Sequence, residues 1–341
     1  MFSENVIGDE VRKYCADIGK DPLLVQGAGG NVSWKTGGTL WIKASGTWLE
    51  NAVRDQIFIP VDLSRLRSDI NAQKWDATPS VMDDCQLRPS IETTLHALMP
   101  HTVVVHIHAI EVLAHLVRGE SYDYFHSRLG EVCSFALVDY HKPGAQLAAA
   151  VYEALMSQPS VKLVLLKNHG IVVGGETVSA VRNLITEINT IFSTKPIIEI
   201  DEKPVNFDTD QAFQGQYTPV DDVAVQQLAF QPELFKRLCS DWALYPDHVV
   251  FLGAEACAHD SWAAFELATK TSSLNPDLVF ISECGVFTSQ ALTRTKLAQL
   301  RSYLDVIVRQ SPNSPLATLE NFQIAELLNW DAERYRTSLD V

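Results

Sequence analysis

Residues 88–109 read RPSIETTLHALMPHTVVVHIHA. This stretch predicts a helix followed directly by a buried strand, and it carries three groups with chemistry. Ser90 is a helix-capping residue type, and Ile91, Leu95 and Leu98 follow at helical spacing. Val103 to His108 then form a β-branched run of the kind that fits a pleated, buried surface. Side chains alternate along a strand, so His106 and His108 share one face while Val103, Val105 and Ile107 share the other. Two residues of strand rise set the two histidines roughly 6–7 Å apart at the backbone. That spacing lets both imidazoles converge on one ion at about 2.0–2.1 Å. The carboxylate of Glu92 stands at the start of the helix. Two histidines leave a metal short of ligands, so the remainder of the chain must complete the site.

The 341 residues suffice for one large domain or two ordinary ones, and 46% hydrophobic with 20% charged residues fits a globular chain with a sizeable core. A net charge of −15 and a sequence pI near 5.0 argue against general nucleic-acid binding. The N-terminus reads as an amphipathic helix ending near Gly19 and lacks the basic and apolar regions of a signal peptide. No apolar run approaches the roughly 20 residues needed to span a bilayer. Six scattered cysteines with no CxxC pair fit reduced thiols in a cytoplasmic protein.

Upstream of the opening stretch, LLVQGAGGNVSWK places Gly27, Gly29 and Gly30 close together. Such a turn either aims backbone N–H groups at an anion or simply turns the chain. It is not GxGxxG, and no helical pattern follows. Residues 32–35, the turn 36–38 and TLWIKAS read as a hairpin. Ser45 and Gly46 close the second strand, where a small hydroxyl beside glycine can donate to an oxyanion or finish a turn. Downstream, IEVLAHLVRG and AQLAAAVYEALM read as helices, KLVLLKNHGIVVGGET as two strands about a turn, and Thr177 to Phe192 as a long amphipathic helix. His169 sits in that turn and is a candidate third ligand for the His106/His108 face. His115 reads as a packing or surface residue. The composition shifts near 195–220, with Pro196, Pro204 and several acids, and this predicts a domain boundary. Beyond it, HVVFLG and LVFISECGVF read as strands, 289–308 as a long helix, and the end as a helical piece. Glu283, Cys284 and Gly285 at a strand end read as buried. No metal cluster, nucleophile motif or phosphate loop is legible in this smaller unit.

Together, GGNVS (29–33), ASG (44–46), PSIE…H (89–96), HIH (106–108) and NHG (168–170) resemble the class II aldolase/adducin family over about residues 5–195. The resembling members are fuculose- and rhamnulose-phosphate aldolases and ribulose-phosphate 4-epimerase. LYPDHVVFLG and GVFTSQALTRTK resemble the region after the aldolase domain in bifunctional rhamnulose-phosphate aldolase/dehydrogenase chains. With no GxGxxG present, no hydride chemistry is expected. The resemblance implies an α/β fold: a three-layer α/β/α domain with a largely antiparallel central sheet over 1–200, a linker at 201–214, and a smaller α/β domain over 215–341. It implies that His106, His108 and His169 bind a divalent metal, commonly Zn2+, and that Glu92 is the catalytic acid/base. It implies that Gly30, Asn31, Ser45, Gly46 and Ser90 hold the substrate's phosphate. Ala28 and Ile91 depart from the pattern, standing where phosphate-binding members keep hydroxyl residues. Each lost charge-assisted hydrogen bond costs roughly 1.5–3 kcal/mol.

The expected activity is metal-dependent retro-aldol cleavage of a ketose or ketose phosphate to a dihydroxyacetone-type product and an aldehyde. A second proton donor is expected from a tyrosine, often a neighbouring subunit's, with Tyr122, Tyr124 and Tyr140 as candidates. The rivals are a 4-epimerase or sugar-acid decarboxylase on the same metal, a non-catalytic adducin-like interaction module, and a metal-stabilised structural protein. The implied partner is a small sugar or sugar phosphate, with no nucleic acid and no membrane, in a cytoplasmic homo-oligomer that is a tetramer by resemblance.

Overall fold

The structure is a computed structural model and describes residues 2–84, 86–158, 160–200, 216–272 and 276–339. The expected linker at 201–214, the first residue of the expected second domain, and Cys85 lie outside the described residues.

Helix α1 (Phe2–Ile18) precedes the hairpin β1 (Asn31–Thr36) and β2 (Thr39–Lys43). Its turn is Gly37–Gly38, with φ of 55° and 83°. Two successive positive φ values match the right-handed strand twist and strongly favour glycine. Strand β3 (Phe58–Asp62) pairs with β2, and the Asp62 side chain caps α2 (Leu63–Asn71) by accepting from the Arg65 N–H at 2.9 Å. The opening stretch becomes α3 (Thr93–Leu98) and β4 (Val103–Ile107). Next come α4 (Ile110–Leu116), α5 (Tyr122–Leu129), β5 (Phe135–Val138) and α6 (Ala145–Ser157). The antiparallel pair β6 (Leu163–Leu166) and β7 (Gly170–Gly175) and helix α7 (Val178–Phe192) finish this region. Thr177 caps α7 by accepting from the Ala180 N–H at 3.1 Å.

These strands form one seven-stranded sheet of order β3-β2-β1-β4-β7-β6-β5, antiparallel except for the β5–β6 pair. Both faces are covered. Val103, Val105 and Ile107 of β4 pack in one core with α1, α4 and α7. Val104 faces the opposite core, with Leu95 of α3 and Leu147 and Val151 of α6. A further cluster joins Leu40, Ile42 and Val61 to α2. A strand buried on both faces reads as an unbroken apolar run, which is why 103–107 shows no polar alternation until His106. The fold is thus mixed α/β with a mostly antiparallel central sheet, as expected.

The second region contains β8 (Thr218–Pro219), α8 (Val223–Phe230), α9 (Pro232–Ser240), α10 (Pro246–Leu252), β9 (Ala258–His259), α11 (Trp262–Ser272), β10 (Leu278–Ile281), β11 (Gly285–Thr288), α12 (Arg294–Ile307), α13 (Asn321–Leu328) and α14 (Asp331–Ser338). Its strands form a smaller sheet of order β8-β11-β10-β9. Leu228, Leu238, Val249, Leu300 and Leu304 belong to the same apolar core as α4 and α7. Arg309 bonds Glu111 at 2.9 Å, and Gln310 donates to the Ala114 carbonyl at 3.0 Å, so the segment after α12 is tied to α4. Among the described residues, no helix is long and apolar enough to cross a membrane.

Three expectations need correction. HVVFLG is not a strand but lies mostly in α10: Pro246 stands in its first turn, Asp247 follows, and Gly253 (φ 91°) stops it. Short apolar runs do not distinguish buried helix from strand by periodicity. LVFISECGVF is two strands rather than one, turned at Glu283 (φ 58°). Ser90 is not the cap of α3. Glu92 occupies that position, and the Ser90 hydroxyl accepts from the Glu92 N–H at 3.2 Å.

Candidate metal centre

Strand β4 carries His106 inward at its end, and His108 follows just beyond it. The β6–β7 turn brings His169 alongside: its N–H bonds the Leu166 carbonyl at 3.2 Å, and Asn168 adopts a left-handed φ of 53°. The three ring centroids lie 4.9–5.2 Å apart. One nitrogen from each ring lies within 4.8 Å of the other two. The His106 and His108 Nε2 atoms are 3.2 Å apart, close to the roughly 3.3 Å between nitrogens on a tetrahedral ion with 2.0–2.1 Å bonds.

Burial holds His108 and His169 in the form a cation needs. It pushes the His108 pKa down to about 3, with Asp247 only partly opposing, and it holds His169 well below the usual histidine range. Buried, neutral imidazoles present lone pairs rather than protons. The His106 Nδ1 faces the Ile171 carbonyl at 3.0 Å across β4–β7, which fixes Nδ1 as the protonated nitrogen and frees Nε2.

Glu92 closes the triad from α3. Its Oε2 lies 3.4 Å from His106 Nε2 and its Oε1 3.6 Å from His169 Nε2. Asn31 donates to Oε2 at 2.7 Å, while Oε1 is buried without a hydrogen-bond partner. An unsatisfied buried carboxylate oxygen beside three buried imidazoles is costly alone and is what a bound cation would relieve. The residues present therefore fit a divalent metal.

The triad opens into a cavity of about 30 Å³. Gly30, Asn31, Ser45, Gly46, Ser90, Glu92, His108 and His169 all line it, with His106 directly behind. Ala28 and Ile91 line it too, so their missing hydroxyls are missing from the cavity wall itself. None of Tyr122, Tyr124 and Tyr140 reaches it. Tyr122 is exposed and stacks on Phe135, and the Tyr124 hydroxyl lies 2.5 Å from His115 Nδ1. His115 is accordingly a buried packing residue that also meets the Phe192 carbonyl at 3.1 Å. His96 stands apart from the triad and bonds Ser33 Oγ at 2.8 Å through Nδ1.

Several lining residues escaped the sequence reading. Lys43, at the end of β2, is buried and donates to the Ala28 carbonyl at 3.1 Å, and burial pushes its ammonium down to about 7. The C-terminal region, in which no site feature was legible, supplies Asp247 from α10 and Glu333 and Arg336 from α14. Arg336 grips Asp247 with two bonds of 2.6 and 2.8 Å. Burial alone would raise the Asp247 carboxyl, but Arg336 and His108 hold it well below the usual carboxylate range. Asn168 ties the same region down, donating to the Leu244 and Ala317 carbonyls at 2.9 and 2.6 Å.

The family profile described as Class II Aldolase and Adducin N-terminal domain matches residues 9–195. The uncharacterized oxidoreductase YuxG of Bacillus subtilis (strain 168) is 29% identical over 176 residues, which is 47% of this chain and 25% of that protein. The chain thus spans about a quarter of the length of that relative. Among solved structures, the N-terminal class II aldolase domain of a conserved protein from Thermoplasma acidophilum is 26% identical, with a TM-score of 0.46, over 54% of this chain and 91% of the other. An L-fuculose 1-phosphate aldolase is 18% identical, with a TM-score of 0.43, over 55% of this chain and 82% of its own.

Proposed function

This chain belongs to the class II aldolase and adducin family, and on that footing we propose that it is a metal-dependent aldolase cleaving a ketose or ketose phosphate to a dihydroxyacetone-type product and an aldehyde. One observation carries the reading: three buried histidines turn ring nitrogens toward one point, and the unpartnered Oε1 of Glu92 faces that point. A scaffold gains nothing from burying those four groups together. His106, His108 and His169 would hold the ion, and zinc suits three neutral nitrogen ligands with an open position. Bound there, the ion supplies Lewis-acid stabilisation of negative charge on substrate oxygens as the carbon–carbon bond breaks.

The chain's own groups do the rest. Glu92 moves the proton at the carbon released by cleavage, and Asn31 holds the carboxylate in place through Oε2. Gly30, Ser45, Gly46 and Ser90 bind the far end of the substrate. Glu92, His106, His108 and His169 are all buried, which strengthens these interactions relative to bulk water. None of the three candidate tyrosines lines the cavity, and a tyrosine from a neighbouring copy in a homo-oligomer is the proposed second proton donor.

A second reading, sugar-acid decarboxylation on the same metal, is favoured by Lys43 and Arg336, two basic side chains that line the cavity. Incubating zinc-loaded protein with phosphorylated and unphosphorylated ketoses and with sugar acids distinguishes the two. Aldehyde release supports the aldolase. Carbon dioxide or an epimer without aldehyde replaces it, and a chain that holds no metal and turns over nothing is an interaction module.

A further inference from the structure

The three histidines differ in what holds the ring edge away from the triad. His106 has the Ile171 carbonyl at Nδ1, and His169 has no partner at Nδ1. His108 alone faces a carboxylate there: Asp247 Oδ2, 3.5 Å from its Nδ1. The opposite edge of that ring, Nε2, faces His106 Nε2. Asp247 is thus behind His108 and is not itself one of the converging ligand groups.

We propose that Asp247 is a positioning residue for the metal centre, fixing His108 as the Nδ1–H tautomer with Nε2 free for the ion, and that Arg336 sets Asp247 for this task. The inference rests on the metal-centre reading above and deepens it. Residues 247 and 336 fall outside the family-matched 9–195, so in this chain the C-terminal region supplies the groups behind a ligand rather than a ligand itself.

Every contact around Asp247 fits that role. Pro246 starts α10 and sets Asp247 in its first turn, where a carboxylate is favoured. Arg336 takes both oxygens, and Gln299 of α12 lies 3.4 Å from Oδ2, so the carboxylate has a single orientation. Glu333 contacts Arg336 at 3.4 Å and helps fix the guanidinium. A Cβ on Gly29 would lie 3.0 Å from Asp247 Oδ2 and 3.6 Å from His108 Nδ1, so the glycine loop leaves room for the pair. A carboxylate behind a ligating imidazole orients the ring and makes it more basic, and its loss typically costs 10–100-fold in metal affinity or activity.

The test is zinc affinity, read by competition with a chromophoric chelator on folded protein, for the parent, Asp247→Asn, Asp247→Glu, Arg336→Lys and His106→Ala. Asp247→Asn is expected to weaken zinc about 10- to 100-fold, with partial recovery in Asp247→Glu. A folded Asp247→Asn protein that holds zinc as tightly as the parent overturns the inference. If that variant does not fold, Arg336→Lys, which keeps the charge but loses the two-pronged grip, decides instead: weakened zinc supports the inference and parental affinity overturns it. His106→Ala separates the two levels of argument. Parental zinc affinity in that variant sinks the metal-centre reading, whereas loss there with none in Asp247→Asn sinks only the role of Asp247.

Discussion

Asn31 Nδ2 donates to Glu92 Oε2 at 2.7 Å, and this single bond divides the carboxylate into a held oxygen and a free one. The free Oε1 faces His169 Nε2 at 3.6 Å. β1 supplies Asn31 directly opposite His106 in the β1–β4 register, so the sheet itself aligns the partner of Glu92 with His106. Glu92→Gln keeps the shape of the side chain but removes its proton-accepting capacity. Turnover is expected to fall by about 10²–10⁴-fold with zinc content unchanged. Steady-state kinetics with metal analysis on the same sample checks this, and parental turnover removes Glu92 from the chemistry. Asn31→Ala is expected to lower kcat with a smaller effect on KM.

The hydroxyl-free positions make a second prediction. Ala28 and Ile91 both line the cavity, so a serine at either would add a donor to its wall. Ile91→Ser is expected to tighten a phosphorylated hydroxamate inhibitor by up to roughly 1.5–3 kcal/mol and to leave its unphosphorylated analogue unaffected. Equal effects on both compounds would mean that the phosphate does not reach this wall.

Much of this arrangement is legible in sequence because it is local. The Gly37–Gly38 hairpin, the two-residue spacing of His106 and His108, and the Asn168–His169–Gly170 turn each declare themselves within a few residues. The grip of Arg336 on Asp247 joins positions 89 apart in the chain, and neither residue belongs to a periodic pattern that marks it. Asp247 was further hidden because the apolar run after it fits a strand as well as a helix. The clue available was Pro246–Asp247 ahead of that run, a helix-start pair. Lys43 was equally obscure: a lysine closing a strand reads as solvated, and only the fold shows it buried against the Ala28 carbonyl.

A third prediction concerns acid stability. His248 is buried against Trp242, Tyr245 and Tyr303, and burial alone pushes its pKa down to about 3 from an ordinary 6.5. Between those values the unfolded chain binds a proton at this position that the folded chain refuses. Stability contributed by neutral His248 is therefore present above about pH 6.5 and is lost as pH falls toward 3. The slope is about 1.4 kcal/mol per pH unit for one such proton. Urea unfolding from pH 7 to pH 4 is expected to show a declining midpoint, and His248→Leu to show a shallower decline than the parent. Parallel declines in the two proteins would place the acid sensitivity elsewhere.

The final prediction follows from what closes the cavity. Its volume of about 30 Å³ has room for roughly two waters and is small for a sugar. Leu339, just past α14, packs against the lining residue Gly46: a Cβ on Gly46 would lie 2.5 Å from Leu339 Cδ1. Gly46 also has φ 76°, a conformation costing an L-residue roughly 1–2 kcal/mol. Gly46→Ala therefore suffers twice, from backbone strain and from collision with Leu339. Leu339→Ala removes only the collision partner and is expected to be tolerated while improving KM for bulkier substrates. In the double variant the Cδ1 collision disappears, while the 3.3 Å approach to the remaining Leu339 Cβ and the backbone term stay. The two substitutions should couple by about 0.5–3 kcal/mol, with the pair less damaging than the sum of the singles. A strictly additive cycle, measured by thermal unfolding and by KM, would show that Leu339 does not rest on Gly46 in solution and that the cavity is open there.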